Sequence, residues 1–412
     1  MTPDIYIYWK TRLDERVPAN QGPRWRKVNK KIVFGVTADY SIPLLGDLPG
    51  ELSEQGWEVH VVANPGTNLS SCFPGKSIKR HGIPMKRDSS PFSDLGALVR
   101  WFLLLRKVNP AVVAVGTPKA GFLGLIAARL NKVPVRLYTL RGLRLEGSKG
   151  LQNFMLGAVE KLSAASATNV LAVSPSLLSA YLKLNLTQPQ KISVLGAGSS
   201  KGVDSERFRP PRPCDESTLE NVRTAIGISG THVLIGYFGR INDDKGLPIL
   251  VEALRIVASQ GLNFQLLIVG DYELQKFSGM DFSIPNTQVF LRPETKEIEV
   301  MYRLLDIFCL PTLREGLPNV ALEAQASGVP VITTDATGSI DAVLHGVTGM
   351  VVQKGNSQAL AEALKSLITN TALRTTLAQN SREWVMKNFD SRLVLKRQIR
   401  YFSDLVKDLN LG

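Results

Sequence analysis

Short apolar segments alternate with helical segments twice along this chain, and no other feature constrains the fold as strongly. The apolar segments are short and often β-branched, as buried strands are. They lie at 32–36, 58–63, 111–115, 135–139, 170–173 and 192–195, and then at 232–238, 265–269, 288–291, 307–310, 329–333 and 349–352. Strands separated by helices form βαβ units, whose strands are parallel. The sequence therefore predicts an α/β fold with two parallel sheets.

The boundaries of the two predicted domains follow from changes in composition. The 412 residues suffice for two domains of about 200 residues each. A loop of turn-forming residues from Gly196 to Asp204 precedes a proline-rich stretch, so we place the boundary near residue 207. The predicted units are a poorly ordered leader at 1–30, a first domain at 31–206, a second domain at 207–385 and a C-terminal helix at 386–412, expected to cross back to the first domain.

One stretch of the second half, REGLPNVALE at 314–323, carries the most chemical information. Glu315 follows the carboxyl end of a predicted strand, where open α/β sheets bind ligands. The backbone from Gly316 to Asn319 opens a helix, and N–H groups at a helix start bind anions. Glu323 follows about a turn and a half later. Two acids beside an anion-binding helix start fit a nucleotide sugar, with its hydroxyls near the acids and its diphosphate at the helix.

The same stretch resembles the signature of the family 4 glycosyltransferases, which have the GT-B fold. The resemblance rests on two Glu residues separated by seven others, in the setting REGLPNVALEA. It implies two Rossmann-like domains whose parallel sheets face a central cleft. It also implies that Glu315 binds the donor sugar and that Glu323 binds the ribose. The alternative is a solvated helix with two exposed acids, which the enclosed Gly-Leu-Pro and the flanking strands disfavour.

A second motif, FGRINDDKG at 238–246, resembles the pattern F-G-R-x-x-x-x-K-G of the same family. Arg240 and Lys245 lie in the loop after the first strand of the second domain and are expected to point into the cleft. Two cations there can neutralise a diphosphate leaving group without a metal. The alternative is a solvated basic turn beside Asp243 and Asp244. No Asp-x-Asp-like pair lies near a phosphate loop, so we expect neither a metal nor a cofactor.

The predicted site in the second domain combines these two motifs with Arg292, which follows the predicted strand 288–291. The predicted catalytic residues are Glu315, Arg240 and Lys245. The predicted donor contacts are Gly239, Arg240, Lys245, Arg292, Glu315, Gly316, Leu317, Pro318, Asn319 and Glu323.

Loops of the first half resemble a narrower branch of the family, the capsule type and N-glycan type. The motifs are GTPKAG at 116–121, YTLRGL at 138–143, and GS followed by GVD within 198–204. Enzymes of that branch act on sugars carried by polyprenyl diphosphate at the cytoplasmic face of the membrane. The resemblance implies acceptor contacts at Thr117, Lys119 and Arg141.

The first half also departs from that branch at three positions. The branch has histidines in the strand before T-P-K, where this chain has Ala114 and Gly116, and a histidine in Y-T-x-H-G, where it has Arg141. A guanidinium binds phosphate through paired hydrogen bonds but cannot accept a proton. Any role that needs an imidazole is therefore lost, and the acceptor class is open.

The excess of positive charge lies wholly in the first half of the chain. The net charge is +13, and residues 1–200 hold 26 Lys and Arg against 12 Asp and Glu, whereas residues 201–412 hold 23 against 24. A basic domain indicates an anionic partner such as membrane lipid, lipid-linked phosphate or nucleic acid. The predicted helix 92–108 is amphipathic and carries Arg100, Arg106 and Lys107. We expect it to dock on anionic lipid.

The remaining composition indicates a cytoplasmic protein, and the resemblance implies a position at the inner face of the cytoplasmic membrane. The first thirty residues are too charged for a signal peptide, and no apolar run is long enough to span a bilayer. The three cysteines are far apart and odd in number, which indicates neither a disulfide framework nor a metal cluster but a reducing compartment.

The resemblance implies retaining, metal-independent transfer of a sugar from a nucleotide sugar, with UDP favoured, to a lipid-linked saccharide, and this is the predicted function. Two alternatives remain open. A sugar-nucleotide epimerase can share the two-domain fold but needs acid–base side chains in the cleft. A nucleic-acid binder needs basic and aromatic residues interleaved on one surface, and the basic residues here are not so arranged.

Overall fold

The computed structural model describes residues 30–86, 90–148, 150–228, 230, 232–270 and 281–407. Apart from residue 30, the predicted leader lies outside these residues. The described chain forms two α/β units, each built on one parallel sheet. The predicted fold class is confirmed.

The first sheet has seven strands, and all of its pairings are parallel. Its strands are β1 (Lys31–Gly35), β2 (Glu58–Ala63), β3 (Ile78–Gly82), β4 (Val112–Gly116), β5 (Val135–Leu140), β6 (Asn169–Ala172) and β7 (Ile192–Ser193). The spatial order is β3-β2-β1-β4-β5-β6-β7. The order reverses direction beside β1, so the loops after β1 and β4 border a crevice at the carboxyl edge of the sheet.

Helices cover both faces of the first sheet. They are α1 (Leu48–Glu54), α2 (Thr67–Ser71), α3 (Pro91–Val108), α4 (Pro118–Leu130), α5 (Gly150–Ser166) and α6 (Pro175–Lys183). On one face, Trp101 of α3 is fully buried and packs directly over Gly35 of β1. A side chain at position 35 would occupy the space of the indole, so this glycine sets how closely α3 can approach the sheet.

The second sheet has six strands and is also entirely parallel. Its strands are β8 (Val233–Phe238), β9 (Phe264–Val269), β10 (Gln288–Arg292), β11 (Ile307–Leu310), β12 (Val331–Thr334) and β13 (Gly349–Val352). The order is β10-β9-β8-β11-β12-β13. The loops after the central strands β8 and β11 are therefore neighbours at one edge, although about seventy residues separate them in sequence.

The helices of the second half include the short one that follows β11. They are α7 (Glu216–Ile226), α8 (Leu247–Ser259), α9 (Ile298–Arg303), α10 (Asn319–Ala326), α11 (Ser357–Thr369), α12 (Thr371–Phe389) and α13 (Ser391–Lys407). The last helix leaves the second unit and packs on the first sheet. Phe402 and Val406 of α13 are buried in the same cluster as Ile32 and Phe34 of β1. At the crossing, Val203 and Phe389 are joined by a backbone hydrogen bond of 2.8 Å.

One strand was not predicted from the sequence. β3 contains a single buried apolar residue, Ile78, followed by Lys79, Arg80 and His81. It is an edge strand held to β2 by backbone pairing, and its side chains are largely exposed. Because the periodicity of apolar residues reports burial, an exposed edge strand gives little signal.

No helix among the described residues has both the length and the apolar content that crossing a bilayer requires.

The packing of Gly35 against Trp101 gives a direct test of the first sheet. A Cβ atom at position 35 would lie 2.6 Å from the indole and 2.8 Å from Val115. Gly35→Ala should therefore destabilise the protein by about 1–3 kcal/mol, since overpacking forces neighbouring groups apart. Gly96→Ala is the matched control, because a Cβ at this exposed position in α3 meets nothing within 4 Å. It should be neutral or stabilising by up to about 1 kcal/mol, owing to helix propensity. Midpoints of urea unfolding compare the two, and equal midpoints would contradict the packing.

Candidate active site

Lys245 and Glu315 form an ion pair where the loops after β8 and β11 meet. Lys245 Nζ donates to Glu315 Oε1, and the two side chains are only 17% and 14% exposed. Lys245 ends a short 3-10 turn that Gly246 closes with a positive φ of 71°. A Cβ at position 246 would lie 1.9 Å from the carbonyl oxygen of Pro311, so the two loops are in direct backbone contact. The structure thus brings together two of the predicted catalytic residues.

A second ion pair holds the same two loops together. Arg314 Nε and Nη2 donate to the carboxylate oxygens of Asp244 at 3.0 and 2.6 Å. These charge-assisted bonds hold the pKa of Asp244 below its usual range. The carbonyl of Asp244 also accepts hydrogen bonds from the N–H of Leu313 and the hydroxyl of Thr312. Asp244 therefore clamps the two loops together. In the sequence analysis it is only a neighbour of Lys245 in the alternative of a solvated turn, because no short-range sequence signal links it to Arg314.

Arg240 differs from these paired residues. It is exposed, and within the described parts of the chain its guanidinium forms no hydrogen bond or ion pair. Its backbone is fixed, because the hydroxyl of Tyr237 donates to the carbonyl of Arg240 at 3.2 Å. Its positive charge interacts electrostatically with the carboxylate of Asp244 and helps to lower the pKa of that group. Arg240 is therefore a cation held at the carboxyl edge of β8 with its donors available to a ligand.

The start of α10 presents backbone donors beside Glu315. Pro318 is the N-cap and has no N–H, which corrects the prediction that every residue from Gly316 to Asn319 offers a donor. The N–H groups of Gly316, Leu317 and Asn319 bond to no acceptor among the described residues. The N–H of Glu315 is already bonded to the carbonyl of Thr337 at 2.9 Å. Three donors at a helix start form an anion-binding arrangement.

Glu323 lies in the second turn of α10 and is largely buried. The hydroxyl of Tyr302 donates to Glu323 Oε2 at 3.1 Å and lies equally close to the carbonyl of Val320. Burial raises the pKa of Glu323, and the nearby cation Lys201 opposes that shift. The carboxylate is thus held in a defined position close to the start of the helix. Tyr302 is a supporting residue that the sequence analysis missed.

Arg292, a predicted donor contact, occupies a different position. It ends β10, the edge strand, which β9 separates from β8. Its Nη2 donates to the carbonyl of Ile226 at the end of α7, at 2.9 Å. Arg240 and Lys245 follow the central strand instead, so the structure does not group Arg292 with them.

The first domain contacts the second domain at this site. The backbone of Arg141, after β5, lies against Gly316, where an added Cβ would be 2.2 Å from the carbonyl oxygen of Arg141. Ser176, at the start of α6, accepts a 2.7 Å bond from the N–H of Gly338 and donates to Asp341. Burial raises the pKa of Asp341 above its usual value, and the bonds from Ser176 oppose that shift. These contacts close one side of the cleft.

The two other predicted acceptor contacts already have partners. Thr117 Oγ1 accepts from the N–H of Thr37 at 2.8 Å, and its φ of +78° is unusual for a residue with a Cβ. Lys119 Nζ pairs with Asp94 at 2.8 Å, and its side chain is 12% exposed. Both residues lie at the predicted edge of the first sheet. The hydroxyl of Thr117 is already used in a hydrogen bond that joins the loops after β1 and β4. Lys119 carries its own counter-charge.

Comparison with known proteins identifies the family. Two family models match, a group 1 glycosyl transferase over residues 220–384 and a glycosyl transferase 4-like domain over residues 45–198. A capsular polysaccharide biosynthesis glycosyltransferase from Staphylococcus aureus, CapM, is 38% identical, over 92% of this chain and 98% of its own. This chain belongs to the family 4 glycosyltransferases. The resemblance read from its motifs is confirmed, and so is its class as a transferase enzyme.

Two further similarities support this assignment. A glycosyltransferase from Escherichia coli, UDP-Gal:alpha-D-GlcNAc-diphosphoundecaprenol alpha-1,3-galactosyltransferase, is 26% identical over 87% of this chain and 90% of its own. The crystal structure of HepE from Anabaena, in complex with UDP and glucose, superposes with a TM-score of 0.74 at 19% identity. It covers 91% of this chain and 99% of HepE. That similarity confirms the GT-B fold of this family 4 enzyme.

Proposed function

We propose that this glycosyltransferase moves a sugar from a nucleotide diphosphate sugar, preferably a UDP-sugar, to a hydroxyl of a polyprenyl-diphosphate-linked saccharide in capsule or related surface polysaccharide assembly. The observation that carries the proposal is the set of groups around one point of the cleft: the cations Arg240 and Lys245, the donors at the start of α10, and Glu315. The names of the relatives support it. One is a capsular glycosyltransferase, and another combines UDP-Gal with a diphosphoundecaprenol-linked acceptor.

The donor diphosphate is proposed to lie between Arg240, Lys245 and the N–H groups of Gly316, Leu317 and Asn319. Negative charge accumulates on the phosphate oxygen as its bond to the anomeric carbon breaks. Preorganised cations and N–H groups stabilise that charge where it develops, and no bound metal is needed for this. Lys245 is held in place by Glu315 and reaches the leaving oxygen as the donor enters.

The transfer step is proposed to proceed with retention of configuration. An acceptor hydroxyl attacks the anomeric carbon from the face that the leaving phosphate occupies. A bond forms between the acceptor oxygen and the anomeric carbon as the bond between that carbon and the phosphate oxygen breaks. The proton of the attacking hydroxyl passes to the departing phosphate oxygen. Glu315 binds the donor sugar, and Glu323 accepts hydrogen bonds from the ribose hydroxyls. No histidine of this chain is required for the step.

The first domain is proposed to rest on the inner face of the cytoplasmic membrane. On α3, Phe92, Leu95, Val99 and Leu103 are exposed along one face, and Phe92 is 94% exposed. Helix α5 adds a second row of exposed apolar residues. They are Leu151, Phe154, Met155 and Leu162. Both helices pack on α4, so the two rows lie on one side of the domain. Apolar rows flanked by basic residues are typical of an interfacial surface.

A screen of nucleotide sugars followed by a transfer assay tests the proposal. Thermal stabilisation of the full chain identifies the donor, and transfer is then measured to a polyprenyl-diphosphate-linked sugar in the presence of EDTA. One UDP should be released for each sugar transferred. Stabilisation by no nucleotide sugar would contradict the proposal. Conversion of the donor sugar to its epimer without acceptor would favour the epimerase alternative instead.

Glu323→Ala should weaken the binding of free UDP about tenfold or more, because hydrogen bonds to a charged group contribute about 1.5–3 kcal/mol. The control is Tyr302→Phe, which removes the bond to Glu323 Oε2 but leaves the carboxylate in place. That variant should bind UDP within a few-fold of the wild type. Titration calorimetry measures both, and unchanged affinity in Glu323→Ala would remove this residue from the ribose site.

Arg240→Ala and Lys245→Ala should reduce kcat more than they raise KM for the donor. The reason is that the diphosphate gains charge in the transition state, where these cations act most strongly. Loss of one preorganised group typically lowers the rate about a hundred- to a thousandfold. Lys365→Ala, which removes an exposed charge from α11 of the same domain, should leave both parameters unchanged. Near-normal turnover in either test variant would refute the leaving-group assignment.

Membrane docking predicts binding to vesicles of anionic lipid but not of neutral lipid, and weaker binding at high salt. Each basic residue near an anionic surface contributes about 1 kcal/mol, which salt screens. Charge reversal of Arg100, Arg106 and Lys107 to Glu should reduce flotation with anionic vesicles. Phe92→Ser should weaken the vesicle binding that persists at high salt. Reversal of Lys365 and Lys354 in the second domain is the control. A protein that ignores anionic vesicles at low salt would contradict the docking.

A further inference from the structure

Arg141 carries a buried positive charge that pairs with no carboxylate among the described residues. The residue as a whole is half-buried, but its Nη1 atom is out of contact with solvent and forms no hydrogen bond within the described residues. Its Nε donates to Ser200 Oγ and its Nη2 to the carbonyl of Leu44, both at 3.3 Å. Both distances are longer than the usual range for such bonds. The guanidinium is therefore poorly satisfied for a buried charge.

The space for this guanidinium depends on Gly116. A Cβ atom at position 116 would lie 1.7 Å from Nη1 of Arg141 and 3.2 Å from the carbonyl oxygen of Thr139. No side chain can therefore stand at position 116 while Arg141 keeps this conformation. These are two of the positions at which the sequence departs from its branch of the family. The departures are physically coupled, because the glycine at the end of β4 makes room for the arginine after β5.

A small cavity lies beside the guanidinium, with a volume of about 30 Å³. Its polar lining comes from Arg141, Thr139, Ser199, Ser200 and Gln398, and its other walls are apolar. A water molecule needs roughly 10–15 Å³ by this measure, so the cavity can admit the oxygens of one anionic group but not a sugar ring. Hydroxyl groups beside a cation provide further donors to such an anion.

The charge state of Arg141 is not in question at neutral pH. Burial lowers the pKa of its guanidinium to about 10, so the group remains protonated. Burying a charge is costly unless it is paired, and among the described residues no carboxylate pairs with this one. By contrast, Lys119 in the first domain and Lys245 and Arg314 in the second domain each have a carboxylate partner. Arg141 is therefore a buried cation whose counter-charge can come from a ligand.

We propose that Arg141, with Ser199 and Ser200, forms an oxyanion subsite that holds a carboxylate or phosphate group of the acceptor. The inference rests on the proposed function, because it assigns the ligand of the acceptor side of that cleft. The carbonyl of Arg141 touches Gly316, next to Glu315, so the subsite lies close to the reacting sugar. A guanidinium binds either oxyanion through paired bonds. The anion therefore belongs to the acceptor sugar itself or to the phosphate directly attached to it.

The test measures anion binding to the full chain saturated with UDP, by titration calorimetry. The probes are glucuronate, glucose 1-phosphate and inorganic phosphate, with glucose as the neutral control. Arg141→Gln and Gly116→Ala should each weaken binding of the favoured anion about ten- to a hundredfold, since each loses charge-assisted bonds. Gly116→Ala keeps the arginine but displaces its guanidinium, so it tests the geometry and not merely the charge. Arg129→Gln, an exposed position in α4, is the matched control and should change nothing.

The outcomes separate the possible sources of the anion and the two proposals. Tighter binding of glucuronate assigns a carboxylated acceptor sugar, and tighter binding of the phosphates assigns the phosphate link. If UDP binds and the anions bind equally to the wild type and Arg141→Gln, or do not bind at all, the subsite is refuted while the donor site stands. If UDP itself does not bind, the proposed function fails first.

Circular dichroism establishes that each variant is folded. Arg141→Lys keeps a positive charge without the planar fork of the guanidinium, so it should recover only part of the affinity for the anion.

Discussion

The contact between Gly316 and the carbonyl of Arg141 fixes how closely the two sheets approach at the cleft. An added Cβ at position 316 would lie 2.2 Å from that oxygen, and one at Gly338 would lie equally close to the carbonyl oxygen of Gly316. Three backbone segments therefore meet without side chains between them. This brings the start of α10, whose first N–H groups bond to no acceptor in the described part of the chain, within reach of the first domain. A donor at the helix start and an acceptor on the first sheet can then share one reaction centre.

The charges around this contact have different roles because they have different partners. Asp244 and Arg314 neutralise each other and fix the loops, whereas Lys245 is paired with an acid that is itself proposed to bind the donor sugar. Arg240 is exposed and the Nη1 atom of Arg141 is buried, yet neither residue has a carboxylate partner within the described residues. Cations without a carboxylate partner on both sides of the cleft are what the proposal of an anionic group on each substrate requires.

Much of this arrangement could be predicted from the sequence, because parallel strands between helices are apolar on both faces. The same logic placed Arg240, Lys245 and Glu315 at one edge, and the structure joins Lys245 to Glu315. Side-chain partners could not be predicted in this way. Lys119 meets Asp94 only because α3 and α4 pack together, and Arg292 on the edge strand donates to the carbonyl of Ile226 at the end of α7. The fit of Arg141 into the space beside Gly116 could not be predicted either, since neither residue alone indicates it.

The most direct test of the central claim is the configuration of the product formed in excess EDTA, followed by proton NMR from the first turnover. The full chain is supplied with an α-linked UDP-sugar and a polyprenyl-diphosphate-linked saccharide. The proposed attack on the face of the leaving phosphate predicts an α-linked product with a small anomeric coupling constant. Stabilisation of the leaving diphosphate by Arg240, Lys245 and the helix start predicts a rate that EDTA does not change. A β-linked product, or transfer that stops until a divalent metal is restored, would contradict the account.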